Sequence, residues 1–168
     1  MPPKRGCPMS VPFSVDHREF FEEANLACVI TLEADGTPQA QPVWFNVEGD
    51  ALFVNSREGR KWPDRLRHDN RVTILVVSSS NPANYIQVTG RAVELTHTGA
   101  QEHINVLAHR YMGIDYPFGY EGEQRVLIKV EPQHIIHIDA NLSAAKAQLK
   151  AVSDEADATH PNTGEESR

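Results

Sequence analysis

A chain of 168 residues has the size of one domain with a short tail, which excludes two independent cores. Hydrophobic residues make up 40% and charged residues 23%, a composition that excludes wholesale disorder and a collagen-like chain. The net charge of −7 argues against nucleic acid as a partner, and the longest apolar runs are far shorter than the roughly 20 residues that span a membrane.

The two ends of the chain differ from its middle. Residues 1–12 predict a mobile arm, because prolines interrupt them and no apolar period is present. Nothing there resembles a secretory signal, so we expect a cytoplasmic protein. Cys7 and Cys28 suit a reducing compartment, and a bridge between them is the less favoured alternative. Residues 140–168 predict an extension, weakly helical over 143–152 and disordered towards its acidic end.

Short turns and β-branched runs predict a meander in the first half of residues 13–139, the expected domain. Asp16 and Glu19 have the spacing of a capping box, which predicts a short helix ending near Asn25. Three strands joined by tight turns follow, over residues 26–32, 38–47 and 51–55. Turns this short leave no room for crossover helices, which disfavours a parallel sheet.

The second half adds strands and two helices. A short basic helix is predicted to hold Pro63 in its first turn, and apolar spacing predicts an amphipathic helix over 99–112. Further strands are predicted over 71–78, over 85–95 with a possible bulge at Gly90, over 125–130, and over 135–139 after a break at Pro132. Six or seven mostly antiparallel strands with two or three covering helices predict a mainly β fold, either a small barrel or a strongly twisted sheet.

Common catalytic signatures are missing from the sequence. No G-x-G-x-x-G, G-x-x-x-x-G-K-[ST], H-E-x-x-H or G-x-S-x-G pattern occurs, which removes the usual support for nucleotide hydrolysis, a zincin site and an α/β-hydrolase triad. The eight histidines are scattered, and no metal site is predicted. Residues 57–71, by contrast, hold six Lys or Arg against three acids, so we expect a small anionic guest there.

The segment between the third strand and the second helix has the chemistry of a phosphate site. Asn55 and Ser56 can donate hydrogen bonds, and Gly59 allows a close approach of the backbone. Arg60 and Lys61 place two cations beside the start of a helix. A solvated basic turn is the alternative, and these residues alone favour neither interpretation.

The order of segments resembles the flavin and deazaflavin oxidoreductases that share the split β-barrel of pyridoxamine 5'-phosphate oxidase. The resemblance covers about residues 14–139. It is carried, after a first helix, by Leu26-Ala-Cys-Val-Ile-Thr-Leu, Asp35-Gly36-Thr37-Pro38, Gln41-Pro42-Val43-Trp44-Phe45, Phe53-Val54-Asn55 through Gly59-Arg60-Lys61, and Leu66-Arg67-His68-Asp69-Asn70-Arg71-Val72. The sequence looks especially like the branch that uses the deazaflavin coenzyme F420.

The resemblance implies roles for individual positions. The family's phosphate cluster falls on Asn55, Ser56, Gly59, Arg60 and Lys61. The strand along the flavin or deazaflavin ring falls on Gln41, Pro42, Val43 and Trp44. Tyr85 and Gln87 match a stretch that in oxidase relatives reaches the cofactor held mainly by the partner subunit. Gln39 stands where those oxidases have an arginine, so oxidation of pyridoxamine phosphate itself is not expected.

The function implied is that of a homodimeric oxidoreductase with coenzyme F420 between two split barrels and a hydride passed to an unsaturated or conjugated small molecule. FMN is the alternative cofactor. Because the cofactor carries the hydride, no catalytic acid or base needs to be assigned. A non-catalytic protein that stores a flavin, a deazaflavin or haem is a second hypothesis, and a plain dimeric scaffold is a third.

Two aromatic features allow two interpretations each. Trp44 is expected to be a core side chain rather than a ring contact. The loop over 113–122 carries Tyr116, Phe118 and Tyr120 between glycines. An ordinary loop that docks its aromatics is favoured over a flexible lid above a flat substrate.

Overall fold

The computed structural model describes residues 10–140, together with Gln148 and Lys150. Cys7, most of the predicted arm and most of the predicted 143–152 helix lie outside the described residues. The helices are α1 (Val15–Glu22), α2 (Lys61–His68) and α3 (Ala100–Met112). The strands are β1 (Leu26–Leu32), β2 (Pro38–Val43), β3 (Phe45–Glu48), β4 (Ala51–Arg57), β5 (Arg71–Val77), β6 (Asn84–Thr96) and β7 (Arg125–Asp139). No helix within this part of the chain is long and apolar enough to cross a membrane.

All seven strands form one antiparallel sheet in the order β2-β1-β5-β6-β7-β4-β3. The two edge strands, β2 and β3, are consecutive in the chain and only Trp44 separates them. Because one residue cannot span an open seven-stranded sheet, the sheet curls until its edges meet at Trp44. The predicted mainly β fold, with seven strands and three helices in a split half-barrel, is confirmed.

The prediction of one strand over residues 38–47 is wrong, because two strands with different partners occupy this stretch. Val43 pairs with Ala27 of β1, whereas Phe45 pairs with Val54 of β4. Alternation of side chains continues through both strands, so the pattern alone shows no boundary. The chain changes partner at Trp44, which places this residue at the seam of the half-barrel.

The predicted capping box of α1 is also wrong. Ser14 is the N-cap residue, and its side-chain oxygen accepts a hydrogen bond from the backbone N–H of His17 at 3.2 Å. The Nδ1 atom of His17 accepts in return from the backbone N–H of Ser14, also at 3.2 Å. Asp16 therefore lies inside the first turn, where its charge favours the positive end of the helix dipole.

Pro132 does not interrupt the last strand, contrary to expectation, because a bulge beside it absorbs the irregularity. Thr89 pairs with His134 and Gly90 with Pro132, so the register shifts here and the bulge lies in β7, opposite the predicted position at Gly90. A Cβ atom on Gly90 would lie only 2.1 Å from the carbonyl oxygen of Glu131. The missing side chain thus allows the two backbones to approach closely at this point.

Gly90→Ala should lower the free energy of unfolding by about 2 kcal/mol or more, since the added methyl group would overlap a backbone atom held in the sheet. Urea denaturation measures this. Gly119→Ala is the control, because the nearest atom to an added Cβ there is Oε2 of Glu123 at 4.0 Å. We expect the control to change stability by less than about 0.5 kcal/mol. Equal denaturation midpoints for both variants would contradict the close contact at Gly90.

The sheet has two apolar faces. Its inner face forms the core, where side chains such as Val29, Ile74 and Val88 are fully buried. The outer face of β1, β5, β6 and β7 carries two rows of directly paired residues, which we call the outer apolar face. The first row is Cys28, Leu75, Gln87 and Ile136, and the second is Leu26, Val77, Tyr85 and Ile138.

Candidate cofactor-binding site

A cavity of about 290 Å³ opens where the seam of the half-barrel meets the end of β4, the helix α3 and the loop before β7. Its walls are mainly aromatic and aliphatic, with two arginines and no carboxylate side chain among the described residues that line it. Such a lining favours a flat, conjugated guest that carries negative charge. Six predicted site residues meet here: Pro42, Val43, Trp44, Asn55, Ser56 and Arg60.

The other five predicted site residues do not line this cavity. Gln41 precedes the lining residues on β2, and Gly59 has the positive φ of +82° that its turn requires. Lys61 faces a second depression of about 830 Å³ between α2 and the turn after β1. Tyr85 and Gln87 lie on the outer apolar face.

Ser56 provides the sharpest sign that the cavity binds a polar group. Its side chain is 3% exposed and lines the cavity. The hydroxyl has no hydrogen-bond partner among the described residues. A buried hydroxyl without a partner is destabilising, so a ligand oxygen is the natural partner for it.

Asn55 also lines the cavity, but its amide already holds two elements together. Nδ2 donates to the carbonyl oxygen of Ala100 at 2.7 Å and lies 3.2 Å from Nδ1 of His103. Oδ1 accepts from Arg125 at 3.4 Å. Asn55 therefore fixes the start of α3 against the end of β4, and it orients the polar wall of the cavity.

His103 is held in one neutral form by its two neighbours. Its Nδ1 atom faces the donor amide of Asn55, so Nε2 carries the proton and donates to Oδ1 of Asn46 at 2.8 Å. Burial lowers the pKa of His103 below the ordinary value near 6.5. A proton on Nδ1 would point at another donor, which also disfavours the charged ring.

The free energy of unfolding should therefore fall as the pH decreases from 7.5 to 5. Between the lowered pKa of folded His103 and the ordinary value of the unfolded chain, the unfolded state binds more protons. The contribution is complete above the unfolded pKa and is lost as pH falls through the folded one. Denaturation at several pH values should show a smaller pH dependence for His103→Gln. His17, whose pKa burial also lowers, keeps some dependence in that variant. Identical profiles for both proteins would contradict this assignment.

Trp44 is not a core side chain, so the favoured interpretation of this residue is wrong. It is half-buried and lines the cavity. Its ring stacks on Tyr111, with centroids 5.3 Å apart and an interplanar angle of 6°, and meets the edge of Tyr116 at 6.1 Å. The position at the seam, where the chain changes partner strand, turns the ring towards the cavity instead of the core. A contact between Trp44 and the cofactor ring stays a prediction.

The aromatic loop reaches the cavity with two of its three rings. Tyr116 is half-buried, and its backbone N–H donates to Oδ1 of Asn105 at 3.1 Å. Phe118 packs on Tyr116 and lines the cavity, although 65% of its surface is exposed. Tyr120 lies farther out, beneath the guanidinium of Arg57. The loop thus docks through Tyr116, as expected of an ordinary loop. A lid function of Phe118 stays the alternative prediction.

Three of the six cations of the basic segment, Arg65, Arg67 and Arg71, already form ion pairs. Arg65 pairs with Glu33, and Arg67 pairs with Glu58 at 2.5 Å. Arg60 and Lys61 form no ion pair with the described residues. Arg60 precedes α2 without a side-chain cap, so the first N–H groups of that helix also keep their capacity for an anion.

Sequence reasoning missed Arg125, Trp62 and the α3 residues Ile104 and Leu107, which also line the cavity. The period of α3 indicated an apolar stripe, but nothing showed that part of it faces a cavity. Arg125 is an isolated cation at the start of a strand, and its sequence context gives no sign that it is buried.

The profile of the pyridoxamine 5'-phosphate oxidase family matches residues 14–139, which span the whole half-barrel. The chain belongs to this family. The predicted resemblance is thereby confirmed, and members of the pyridoxamine 5'-phosphate oxidase family bind flavins and deazaflavins. No curated protein matches the sequence.

Solved structures of family-like proteins share the fold. An F420 reductase is 24% identical, with 71% of this chain and 94% of that one covered and a TM-score of 0.65. A conserved hypothetical protein from Mycobacterium tuberculosis is 19% identical, with 82% and 90% covered and a TM-score of 0.62. A putative pyridoxamine 5'-phosphate oxidase from Listeria innocua is 21% identical, with 73% and 94% covered and a TM-score of 0.55. At these identities the likeness concerns the fold alone.

Proposed function

We propose that the protein is a cytoplasmic, homodimeric oxidoreductase that binds coenzyme F420, with an unsaturated or conjugated small molecule as the hydride acceptor. The observation that carries the proposal is the cavity itself. The cavity has aromatic walls and holds the hydroxyl of Ser56 and the cation of Arg60, both of which lack a partner among the described residues. When bound, the deazaflavin supplies the hydride, and the protein binds, orients and shields it.

The phosphate of the cofactor fits the end of the cavity at α2. The Ser56 hydroxyl would donate a hydrogen bond to the phosphate, and Arg60 would add a charge-assisted hydrogen bond beside the uncapped start of the helix. Gly59 lets the backbone turn between them. Lys61 follows directly in the chain, and its side chain faces the second depression, so its share in phosphate binding is a separate prediction.

The ring system fits the apolar end of the cavity. Pro42, Val43 and Trp44 line it from the seam of the half-barrel, and Tyr116 faces Trp44 across one corner. Flat apolar and aromatic surfaces bind a conjugated ring by burial and stacking. A ring held there lies against an ordered wall, because Trp44 is stacked on Tyr111.

A second copy of the chain would complete the site. The cavity of about 290 Å³ lies at the lower limit for small-molecule sites, so part of a large cofactor must extend beyond it. Leu26 and Pro42 line the cavity. Leu26 belongs to the outer apolar face, and Pro42 lies on the same side of the sheet because it pairs with Cys28. We therefore place the dimer contact on the outer apolar face, where Tyr85 and Gln87 would reach the cofactor of the partner.

Titration with F420 and with FMN, each at low and high salt, tests the proposal. We expect F420 to bind more tightly, with an affinity that falls as salt rises, because its long anionic tail adds screened attraction to exposed cations. Reduced F420 should then be oxidised by an acceptor from a panel of conjugated compounds. Purification with stoichiometric FMN and no F420 binding at low salt would overturn the cofactor choice. Tight binding without turnover would favour a carrier.

A further inference from the structure

We infer that Arg125 supplies a second arginine for the cofactor's phosphate, opposite Arg60, and this rests on the proposed function. Arg125 is the first residue of β7 and lines the same cavity as Ser56 and Arg60. None of the sequence motifs marks it. Its assignment depends on the contacts that surround its guanidinium group.

The backbone places Arg125 beside the proposed phosphate end of the cavity. It pairs with Arg57 at the end of β4, and Ser56 pairs with the next residue of β7, Val126. The backbone N–H of Glu58 donates to the carbonyl oxygen of Gln124 at 2.9 Å. The turn that leads to Arg60 is therefore fixed directly to the start of β7.

The guanidinium of Arg125 is buried but only partly used. Its side chain is 7% exposed, and its central carbon lies 4.3 Å from the ring centroid of Tyr116. Nε lies 2.5 Å from Oε1 of Glu123, whose side chain is also buried, so the two groups form a buried ion pair. Nη1 donates to Oδ1 of Asn55 at 3.4 Å. Nη2 makes no hydrogen bond to the described residues.

The buried guanidinium lines the cavity and keeps donor capacity that a ligand can use. Its fixed fork of N–H groups is suited to oxygen acceptors. The unpartnered hydroxyl of Ser56 lines the same cavity. A phosphate group between the two would satisfy both, because its oxygens accept several hydrogen bonds and match the planar fork of an arginine.

FMN and riboflavin provide the test, since they differ only by the phosphate. Arg125→Gln should weaken FMN binding at least tenfold and change riboflavin binding less than twofold. Arg125→Lys, which keeps the charge but loses the fork, should fall between wild type and Arg125→Gln. F420 and its deazaflavin core, which lacks both the phosphate and the anionic tail, form a second pair. Thermal melting of each variant checks the fold.

Two further variants separate a phosphate contact from a structural role. Glu123→Gln combined with Arg125→Gln leaves no buried carboxylate without compensation, and it should show the same selective loss. Lys129→Gln is the control, because this half-buried cation lies on the same strand and does not line the cavity. An equal loss for both members of a pair, or no loss, would overturn the inference. Wild-type protein that binds neither pair would overturn the proposed function itself.

Discussion

Replacing Arg60 and Lys61 together with alanine should weaken cofactor binding by well over tenfold and leave the fold intact. A charge-assisted hydrogen bond to a phosphate contributes about 1.5–3 kcal/mol. Both side chains are exposed and form no ion pair with the described residues, so their loss removes little stability. Absorbance titration with F420 and FMN measures the affinity, and chemical denaturation measures the stability.

The single variants divide this effect between the two cations. Arg60→Ala should cause most of the loss, because Arg60 lines the cavity whereas Lys61 faces the second depression. Arg71→Ala is the matched control, since it also removes one exposed cation, which pairs with Asp69 and lines only other depressions. Unchanged affinity of the double variant for both cofactors would refute the phosphate assignment.

Leu75→Asp should convert the dimer to a monomer at micromolar concentration and weaken cofactor binding with it. Leu75 lies in the middle of the outer apolar face, between Cys28 and Gln87. A carboxylate placed there on both copies would be buried without a partner, which is strongly destabilising for an interface. We expect the dimer dissociation constant to rise at least a hundredfold, as measured by sedimentation velocity.

Val106→Asp is the control for this substitution. Val106 is an aliphatic residue on α3, 56% exposed, and it belongs neither to the outer apolar face nor to the lining of the cavity. Its replacement should leave both the sedimentation coefficient and the affinity unchanged. A wild-type monomer at micromolar concentration that still binds cofactor fully would exclude the shared site.

The features that the sequence predicted depend on local patterns. Strand alternation, short turns and the apolar period of α3 are properties of neighbouring residues, so most of the elements and their order follow from them. The change of partner at Trp44 and the continuation of β7 through Pro132 are different. They depend on which strands lie side by side, and at Pro132 on the missing side chain of Gly90 across the ladder.

The candidate site shows the same division. Ser56 and Arg60 stand close together in one segment, so a phosphate site could be predicted there as one of two interpretations, beside a solvated basic turn. Arg125 lies 70 residues from Asn55, its hydrogen-bond partner, and only the pairing of β4 with β7 brings them together. The stacking of Trp44 on Tyr111 likewise joins the seam to α3, so the orientation of Trp44 could not be predicted from its own strand.

Intrinsic tryptophan fluorescence tests the central claim most directly, namely that the cavity binds the cofactor ring. The chain contains two tryptophans, Trp44 and Trp62, and both line the cavity. A conjugated ring bound between them should quench their emission. Titration with F420 at low salt should therefore give saturable quenching with one cofactor per chain, and Arg60→Ala should shift the curve to higher concentration. Emission that stays unchanged with both F420 and FMN, after correction for absorbed light, would contradict the account.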